Sequence, residues 1–415
     1  MHGTWPLRDT LVMVLAGGQG ERLYPLTKDR AKPAVPFAGD FRLIDFTLSN
    51  CLNSGLRRIY VLTQYKSESL DQHLRTSWDV FSPEIGEWIT TRPPQKRMSD
   101  DWYLGTADAI YQNVYTLQTE RPRHVLVLSG DHLYRMDYSL LLEEHTRTAA
   151  HVTVACMERP LAEAAGNLGV LVVGENDAVV RLEEKPSRPA PSPGRADTCL
   201  CSMGVYAFQT EALVRSVIED AKRSGGHDFA RDVLPAMVRS GAQVHAYRFP
   251  GRYWRDVGTI DAYWEAHMDL VRVQPVLNLY GRDWPFRGET QHGGPAKIVF
   301  AGGSPGTPKA EVFNSLICHG AIVSGAYVCD SVIGPGARIE VGSRIEQSII
   351  MDRTAIGRDV RIRRAIIDKD NTIPDGARIG YDIDWDRRHF TVSEGGVVVM
   401  PKRVPFPRAD AGAHE

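Results

Sequence analysis

The stretch SVIGPGARIEVGSRIEQSIIMDRTAIGRDVRIRRAIIDKDNTI (331–373) decides the architecture of the C-terminal part of the chain. Isoleucine recurs at 333, 339, 345, 350, 356, 362, 367, 373 and 379, at steps of 6, 6, 5, then 6, 6, 5, then 6, 6. SVIGPGARI, SIIMDRTAI and AIIDKDNTI therefore superpose at a period of 17 residues. A heptad would step by 3 and 4, and a hairpin array by longer, uneven intervals. A buried aliphatic followed by small or turn-forming residues, three times per repeat, predicts a parallel β-helix with three short faces per coil. The regime begins near residue 312. Before it, 287–310 carries GETQHGGP and AGGSPGTP, a Gly/Pro-rich linker.

Upstream the pattern changes. LVMVLA (11–16), RRIYVLTQ (57–64), HVLVLSGD (124–131), HVTVACM (151–157) and LGVLVV (168–173) read as strands, and 44–54, 107–118 and 138–149 as helices. The alternation predicts an α/β domain on a mixed, mainly parallel sheet, whose ligands bind beyond the carboxyl ends of the strands. The Pro-rich segment 186–197 is a surface loop within it. The division expected is a catalytic domain over 1–286, a linker over 287–311 and a β-helix with C-terminal tail over 312–415.

Composition excludes several classes. A net charge of −2 provides no basic field for nucleic acid or an acidic membrane surface. The apolar runs are too short to span a bilayer, and MHGTWPLRDT lacks the pattern of a secretory signal. Six scattered cysteines suit buried thiols in a reducing cytoplasm.

The first strand runs into GGQGERLYPLTKDRAKPAVPFAG (17–39). Gly17, Gly18 and Gly20 let the backbone approach a ligand, and Arg22, Lys28, Arg30 and Lys32 supply charge to neutralise a triphosphate. The loop is neither a Walker A motif nor a dinucleotide fingerprint. Asp131, at the end of HVLVLSGD, puts a carboxylate at the carboxyl edge of the sheet, where it serves either as a turn residue or as a ligand for a hard cation.

LAGGQGERLYPLTKDRAKPAVPFAG resembles the signature of sugar-1-phosphate nucleotidyltransferases, and FRLIDFTLSNCLNSGLRRIYVLTQY (41–65) resembles their glucose-1-phosphate adenylyltransferase branch. WYLGTADAIYQN (102–113), LSGDHLYRMDY (128–138), LEEKP (182–186), CSMGVYAF (201–208), HDFARDVLP (227–235) and YWRDVGTIDAYWEAHMDL (253–270) follow in the family's order. The resemblance covers nearly the whole chain. It implies a Rossmann-like nucleotidyltransferase domain followed by a left-handed parallel β-helix, in a cytoplasmic homotetramer. The reaction implied is ATP plus glucose 1-phosphate giving ADP-glucose and pyrophosphate with Mg²⁺, for glycogen-type glucan synthesis. In that reaction a sugar-phosphate oxygen attacks the α-phosphorus in line, so positioning and charge neutralisation supply most of the catalysis.

The same resemblance implies the site residues. Arg22, Lys32 and Asp131 are catalytic, and Asp131 and Asp256 hold the metal. Tyr103, Gly169, Glu184, Lys185 and Ser202 bind glucose 1-phosphate, with plain packing the alternative for Tyr103. Gly17, Gly18, Gly20, Gln95 and Gly105 lie at the nucleotide. Asp29 stands where relatives activated by a sugar bisphosphate often carry lysine, and Pro36 replaces a polar residue. A carboxylate at 29 disfavours such an activator, whereas Arg42 and the Arg361, Arg363 and Arg364 cluster offer positive charge to some other anion. Leu168 replaces an aromatic residue beside the sugar pocket. Three other readings stay open: a regulatory paralogue acting through assembly, a transferase for another nucleotide or sugar (UTP, dTTP or mannose 1-phosphate), and a β-helix acyltransferase using His319. The intact Arg22, Lys32, Asp131, Lys185 and Asp256 favour an active enzyme. FRLIDFTLSNC and YWRDVGTIDAYW favour ATP and glucose.

Overall fold

The computed structural model describes residues 5–94, 102–289, 293–300 and 309–407. They form two compact units that interleave along the chain. The first comprises Met1–Gly18, Phe46–Trp254 and Trp284–Phe286; the second comprises Gln19–Asp45, Arg255–Asp283 and Arg287–Glu415.

The first unit is built on a nine-stranded mixed sheet. Thr10–Ala16 lies between His124–Ser129 and Arg58–Thr63, parallel to both, and Trp88–Arg92 continues the parallel half. Its Leu11, Val12, Met13 and Val14 are fully buried, as expected of a strand covered on both faces. The long strand Thr198–Gln209 then runs antiparallel to His124–Ser129, Val152–Pro160 and Val170–Val173. Its pairing slips between Ser202 and Tyr206, where Gly204 has φ +65°. The core beneath includes Met13, Leu62, Val127, Tyr206, Phe208 and Phe229.

The second unit contains the left-handed parallel β-helix, three sheets joined in parallel coil by coil. Arg338–Ile339, Ala355–Ile356 and Thr372–Ile373 share one face, and Arg344–Glu346, Arg361–Arg363 and Arg378–Ile379 another. Val332–Ile333, Ile349–Ile350 and Ala365–Ile367 make the third. The isoleucines of the 17-residue repeat fill the interior, with Ile333, Ile345, Ile350, Ile362, Ile367 and Ile379 fully buried. Corners are turned by left-handed residues that recur with the coils. Asn314, Asp330, Gln347 and Arg364 form one such column, with φ between +42° and +48°. Asparagine and aspartate tolerate that conformation well, arginine and glutamine less so.

Two features depart from the expected division at 286 and 311. Lys297–Val299, inside the stretch read as linker, and Glu311–Phe313, across its end, are strands that pair in parallel with Ile322–Ser324 and Tyr327–Cys329. The Gly/Pro content of 287–310 obscured the strand at Lys297–Val299. Residues 19–45 and 255–283 also group with the β-helix rather than with the sheet. Side-chain contacts between residues far apart in the chain hold the second of these segments there. Trp264 Nε1 donates to the Gln347 carbonyl at 2.8 Å, and the Arg364 guanidinium lies 4.2 Å from the centre of the Trp264 indole. The C-terminal strand Val398–Met400 returns to pair with Ala365–Ile367 and closes the last coil.

Among the described residues no helix is long and apolar enough to cross a membrane. The six cysteines are free thiols, all buried except the half-buried Cys329.

His267 carries a pH-dependent part of the stability. Its Nδ1 donates to the Tyr263 carbonyl at 2.9 Å and its Nε2 accepts from the Ala38 amide at 3.0 Å, an arrangement that only the neutral ring satisfies. Burial pushes its pKa down to about 4. The unfolded chain therefore binds a proton that the folded chain refuses between about pH 6.5 and 4. Stability is full above that window and falls with decreasing pH within it, by up to about 3 kcal/mol for this one group. Thermal unfolding from pH 7.5 to 4.5 should show the loss, and His267→Gln should flatten the profile while lowering stability at neutral pH. A profile as steep in the variant as in the parent removes His267 from this role.

Candidate active site

The first unit holds a carboxylate at a strand end and a cluster of Gly169, Glu184, Lys185 and Ser202. Asp131 follows the strand His124–Ser129 and receives a hydrogen bond from the Ser129 hydroxyl. Thr47 fixes the same turn by donating to the Ser129 carbonyl at 2.9 Å. His132 Nε2 lies 3.6 Å from Asp131, its Nδ1 meets the Met203 carbonyl at 3.1 Å, and its ring stands edge-on to Trp254. A β-carbon at Gly204 would come within 3.2 Å of the His132 ring, so the bulge in Thr198–Gln209 makes room for it. Both Asp131 and His132 are half-buried.

Gly169, Glu184 and Ser202 lie together. The Ser202 amide donates to the Gly169 carbonyl at 2.8 Å, and a β-carbon at Gly169 would come within 2.9 Å of Glu184 Oε2. Lys185 is exposed, with φ +49°, and its Nζ lies 3.8 Å from Glu184 Oε1. Burial raises the Glu184 pKa; Lys185 opposes that, while Asp228 adds to it. Asp228 and Arg231, from HDFARDVLP, thus bear on this cluster, although sequence reasoning assigned them no role. Their motif was recognised, but nothing in its spacing shows that Asp228 turns back to accept from Ala230, Arg231 and Thr106.

The second unit holds the cations. After the exposed Gly18, the backbone turns at Gly20 with φ +67°, and Thr27 Oγ1 closes the turn on the Gly20 carbonyl at 2.9 Å. A β-carbon at Gly20 would lie 2.9 Å from the Thr27 methyl and 3.0 Å from Lys32, so the loop has no space for one. Lys32 is buried, and its Nζ reaches Asp256 Oδ1 at 3.3 Å. Arg22 is exposed, its guanidinium packed on Gly258, where a β-carbon would come within 3.1 Å of Nη2 and 3.4 Å of Asp256 Oδ1. Arg22, Lys32 and Asp256 therefore converge within one unit although 224 residues separate the last two.

Two of the expected residues also carry structural contacts of their own. The Tyr103 hydroxyl is committed within the fold, donating to the Arg92 carbonyl at 3.3 Å and accepting from Asn113 at 3.1 Å, and burial raises its pKa to about 12. Its ring packs beneath Gly17 and in the core. Gly105 abuts backbone: a β-carbon there would lie 2.0 Å from the Gly226 carbonyl oxygen. Gln95 lies outside the described residues. Among the other motif positions, Gly17 touches Gln64, while Gly18 is open to an approaching ligand. The departures are also placed: Asp29 is exposed, Pro36 is buried and Leu168 packs with Cys199 and Cys201. His319 Nδ1 is taken by Asp40 at 3.0 Å, and Arg364 is taken by Trp264 and the Gly395 carbonyl. A cavity of about 770 Å³ opens at the other end of the strand that leads to Asp131, lined by His124, His145 and Arg215. It holds none of the motif residues, and ligands of such sheets bind at the carboxyl ends instead.

A glycine loop after a buried strand, a carboxylate at the sheet's carboxyl edge and a C-terminal solenoid define a nucleotidyl transferase class. Residues 11–273 match the Nucleotidyl transferase family, and 294–400 match the GlmU-like C-terminal hexapeptide. The chain is 46% identical to a glucose-1-phosphate adenylyltransferase of Rhodopirellula baltica, over 99% of this chain and 94% of that protein. It is 46% identical to glucose-1-phosphate adenylyltransferase 2 of Vibrio cholerae, over 96% and 99%. It is 45% identical to the Koribacter versatilis glucose-1-phosphate adenylyltransferase, over 95% of each. The chain belongs to the nucleotidyl transferase family, in the branch of the glucose-1-phosphate adenylyltransferases.

Proposed function

We propose that this enzyme transfers the adenylyl group of ATP to glucose 1-phosphate, releasing pyrophosphate and supplying ADP-glucose for glycogen or another α-glucan. The observation that carries the reading is the convergence of Arg22 and Lys32 on Asp256 around the side-chain-free Gly258. Two cations and one carboxylate form the composition needed to hold a metal-bound triphosphate. Identity to relatives of that name over nearly the whole chain supports the choice of substrates.

In this reading Lys32 and Arg22 hold the triphosphate and stabilise the pyrophosphate as it departs, which is where negative charge develops. Lys185 binds the phosphate of glucose 1-phosphate, and Glu184 accepts hydrogen bonds from the sugar hydroxyls. The Gly169 and Ser202 backbone, tied by its own hydrogen bond, forms the wall against which the sugar rests. Asp131 and Asp256 are the carboxylates for Mg²⁺; their hard oxygens and partial exposure fit that ion. When bound, the ion offsets triphosphate charge and polarises the α-phosphoryl group. No nucleophilic residue is required, since the sugar phosphate supplies the attacking oxygen. A cytoplasmic homotetramer is the assembly we assign, with no nucleic-acid or membrane partner.

Pyrophosphate release by the purified chain tests the reading, with Mg²⁺ and glucose 1-phosphate and with ATP, UTP, dTTP or GTP in turn. Release with ATP far above the others is expected. Release with another nucleotide changes the product, and none with any of them leaves a regulatory paralogue.

Lys185→Ala separates the two substrate sides. Losing one charge-assisted phosphate contact should raise KM for glucose 1-phosphate about 10- to 100-fold, with KM for ATP nearly constant. A change confined to ATP would move Lys185 to the nucleotide.

A further inference from the structure

The segment that carries Arg22 and Lys32 lies along one edge of the β-helix. At one end Gly39 is pressed onto the first coils, where a β-carbon would lie 2.0 Å from Cys318 Sγ and 3.6 Å from Pro335. At the other end Arg30, two residues before Lys32, reaches Asp368: its Nη2 donates to Oδ2 at 2.9 Å and to Oδ1 at 3.1 Å. Cys318, Pro335 and Asp368 follow the strands Leu316–Ile317, Val332–Ile333 and Ala365–Ile367, so they lie along the same corner of the β-helix, on the first, second and fourth strands of one sheet. The Arg30 and Asp368 side chains are 8% and 1% exposed. Such a pair holds its geometry tightly, because losing either partner strands a buried charge or its hydrogen-bonding groups.

The β-helix also fixes the opposing carboxylate. Asp256 leads into the helix Ile260–Leu270, whose Trp264 donates to Gln347 and whose Asp261 accepts from Ser393 at 2.6 Å. The helix in turn holds the loop through His267 and the Ala38 amide. Lys32 and Asp256 thus meet at 3.3 Å because each is fastened to the same solenoid.

We infer that Asp368 is a positioning residue for the nucleotide side: through Arg30 it fixes the loop that presents Arg22 and Lys32, giving the β-helix a part in adenylyl transfer. The inference rests on the function proposed above. Asp368 touches no substrate. Glu184, Lys185, Gly169 and Ser202 belong to the other compact unit, so the effect of loosening this loop falls on ATP alone.

Asp368→Asn keeps the side-chain shape and the acceptor for the Lys369 amide, but sets a neutral amide against the buried guanidinium. We expect KM for ATP to rise about tenfold, with KM for glucose 1-phosphate within twofold. Arg30→Lys, which keeps the charge and shortens the reach, should give a smaller change in the same direction. A merely structural role would lower the active fraction, and so kcat, with both KM values unchanged; that result overturns the inference. If Asp368→Asn fails to fold, Arg30→Lys decides by the same split. Hydrogen exchange gives a readout apart from turnover. The Ala34 and Val35 amides, bonded to Ala31 and Lys32, should lose protection in either variant. Unchanged protection overturns the anchoring even if the parent has no activity, whereas a parent without pyrophosphate release and with the expected exchange change refutes only the assigned reaction.

Discussion

Asp131→Asn should fold as the parent does and lose turnover by about two to three orders of magnitude. The substitution preserves side-chain volume and one acceptor for the Ser129 hydroxyl, so the end of the strand His124–Ser129 has little reason to move. What disappears is a negative charge at the carboxyl edge of the sheet, the group assigned to the metal. Asp131 is half-buried, with Ser129 and His132 beside it. Steady-state pyrophosphate release and a melting curve, measured on the same preparation, check both halves. Turnover within a few-fold of the parent would take Asp131 out of the chemistry, and a melting temperature many degrees lower would make the loss one of folding.

Gly105→Ala should act on stability instead. The backbone at Gly105 is extended, with φ −167°, so any residue could adopt it, and space decides the outcome. An added β-carbon would stand 2.0 Å from the Gly226 carbonyl oxygen and 2.4 Å from that of His227, both main-chain atoms that cannot rotate away. Relief requires the helix Thr106–Tyr111 to leave that loop. Doing so breaks the bond from the Ala107 amide to the His227 carbonyl, 2.8 Å, and strains the 2.9 Å bond from Thr106 to Asp228. Overpacking of this severity costs about 3 kcal/mol, which for a unit of this size lowers the melting temperature by roughly 6–12 °C. Thermal unfolding of the two proteins measures it. A variant as stable as the parent would show that the loop yields freely, and would return Gly105 to a role at the nucleotide.

Much of the architecture was legible because its causes are local and periodic. A strand buried on both faces needs an unbroken apolar run, and LVMVLA and HVLVLS have one. A triangular coil needs an aliphatic at each inward position and a tight corner after it, and the steps of 6, 6 and 5 record both. The long strand Thr198–Gln209 was harder to read, since Gly204 and the slipped pairing beside it break the alternation. The strand at Lys297–Val299 was hidden by the glycines and prolines around it.

The site residues divide along the same line. The sequence alone determined which chemistry is present: glycines beside cations, a carboxylate ending a buried strand, and a lysine and glutamate in LEEKP. Motifs of that kind depend on residue type and short spacing, which the chain displays directly. Only the tertiary structure decided which of these groups meet. Lys32 with Asp256, Arg30 with Asp368 and Thr106 with Asp228 are pairs separated by 224, 338 and 122 residues, and no local periodicity encodes them. It also decided that Tyr103 spends its hydroxyl on Arg92 and Asn113, and that Gly105 is small for the sake of a neighbouring carbonyl. The grouping of residues 19–45 with the β-helix has the same origin. Covalent order places that loop beside the first strand, but a buried ion pair and close packing against the coil corners hold it to the solenoid.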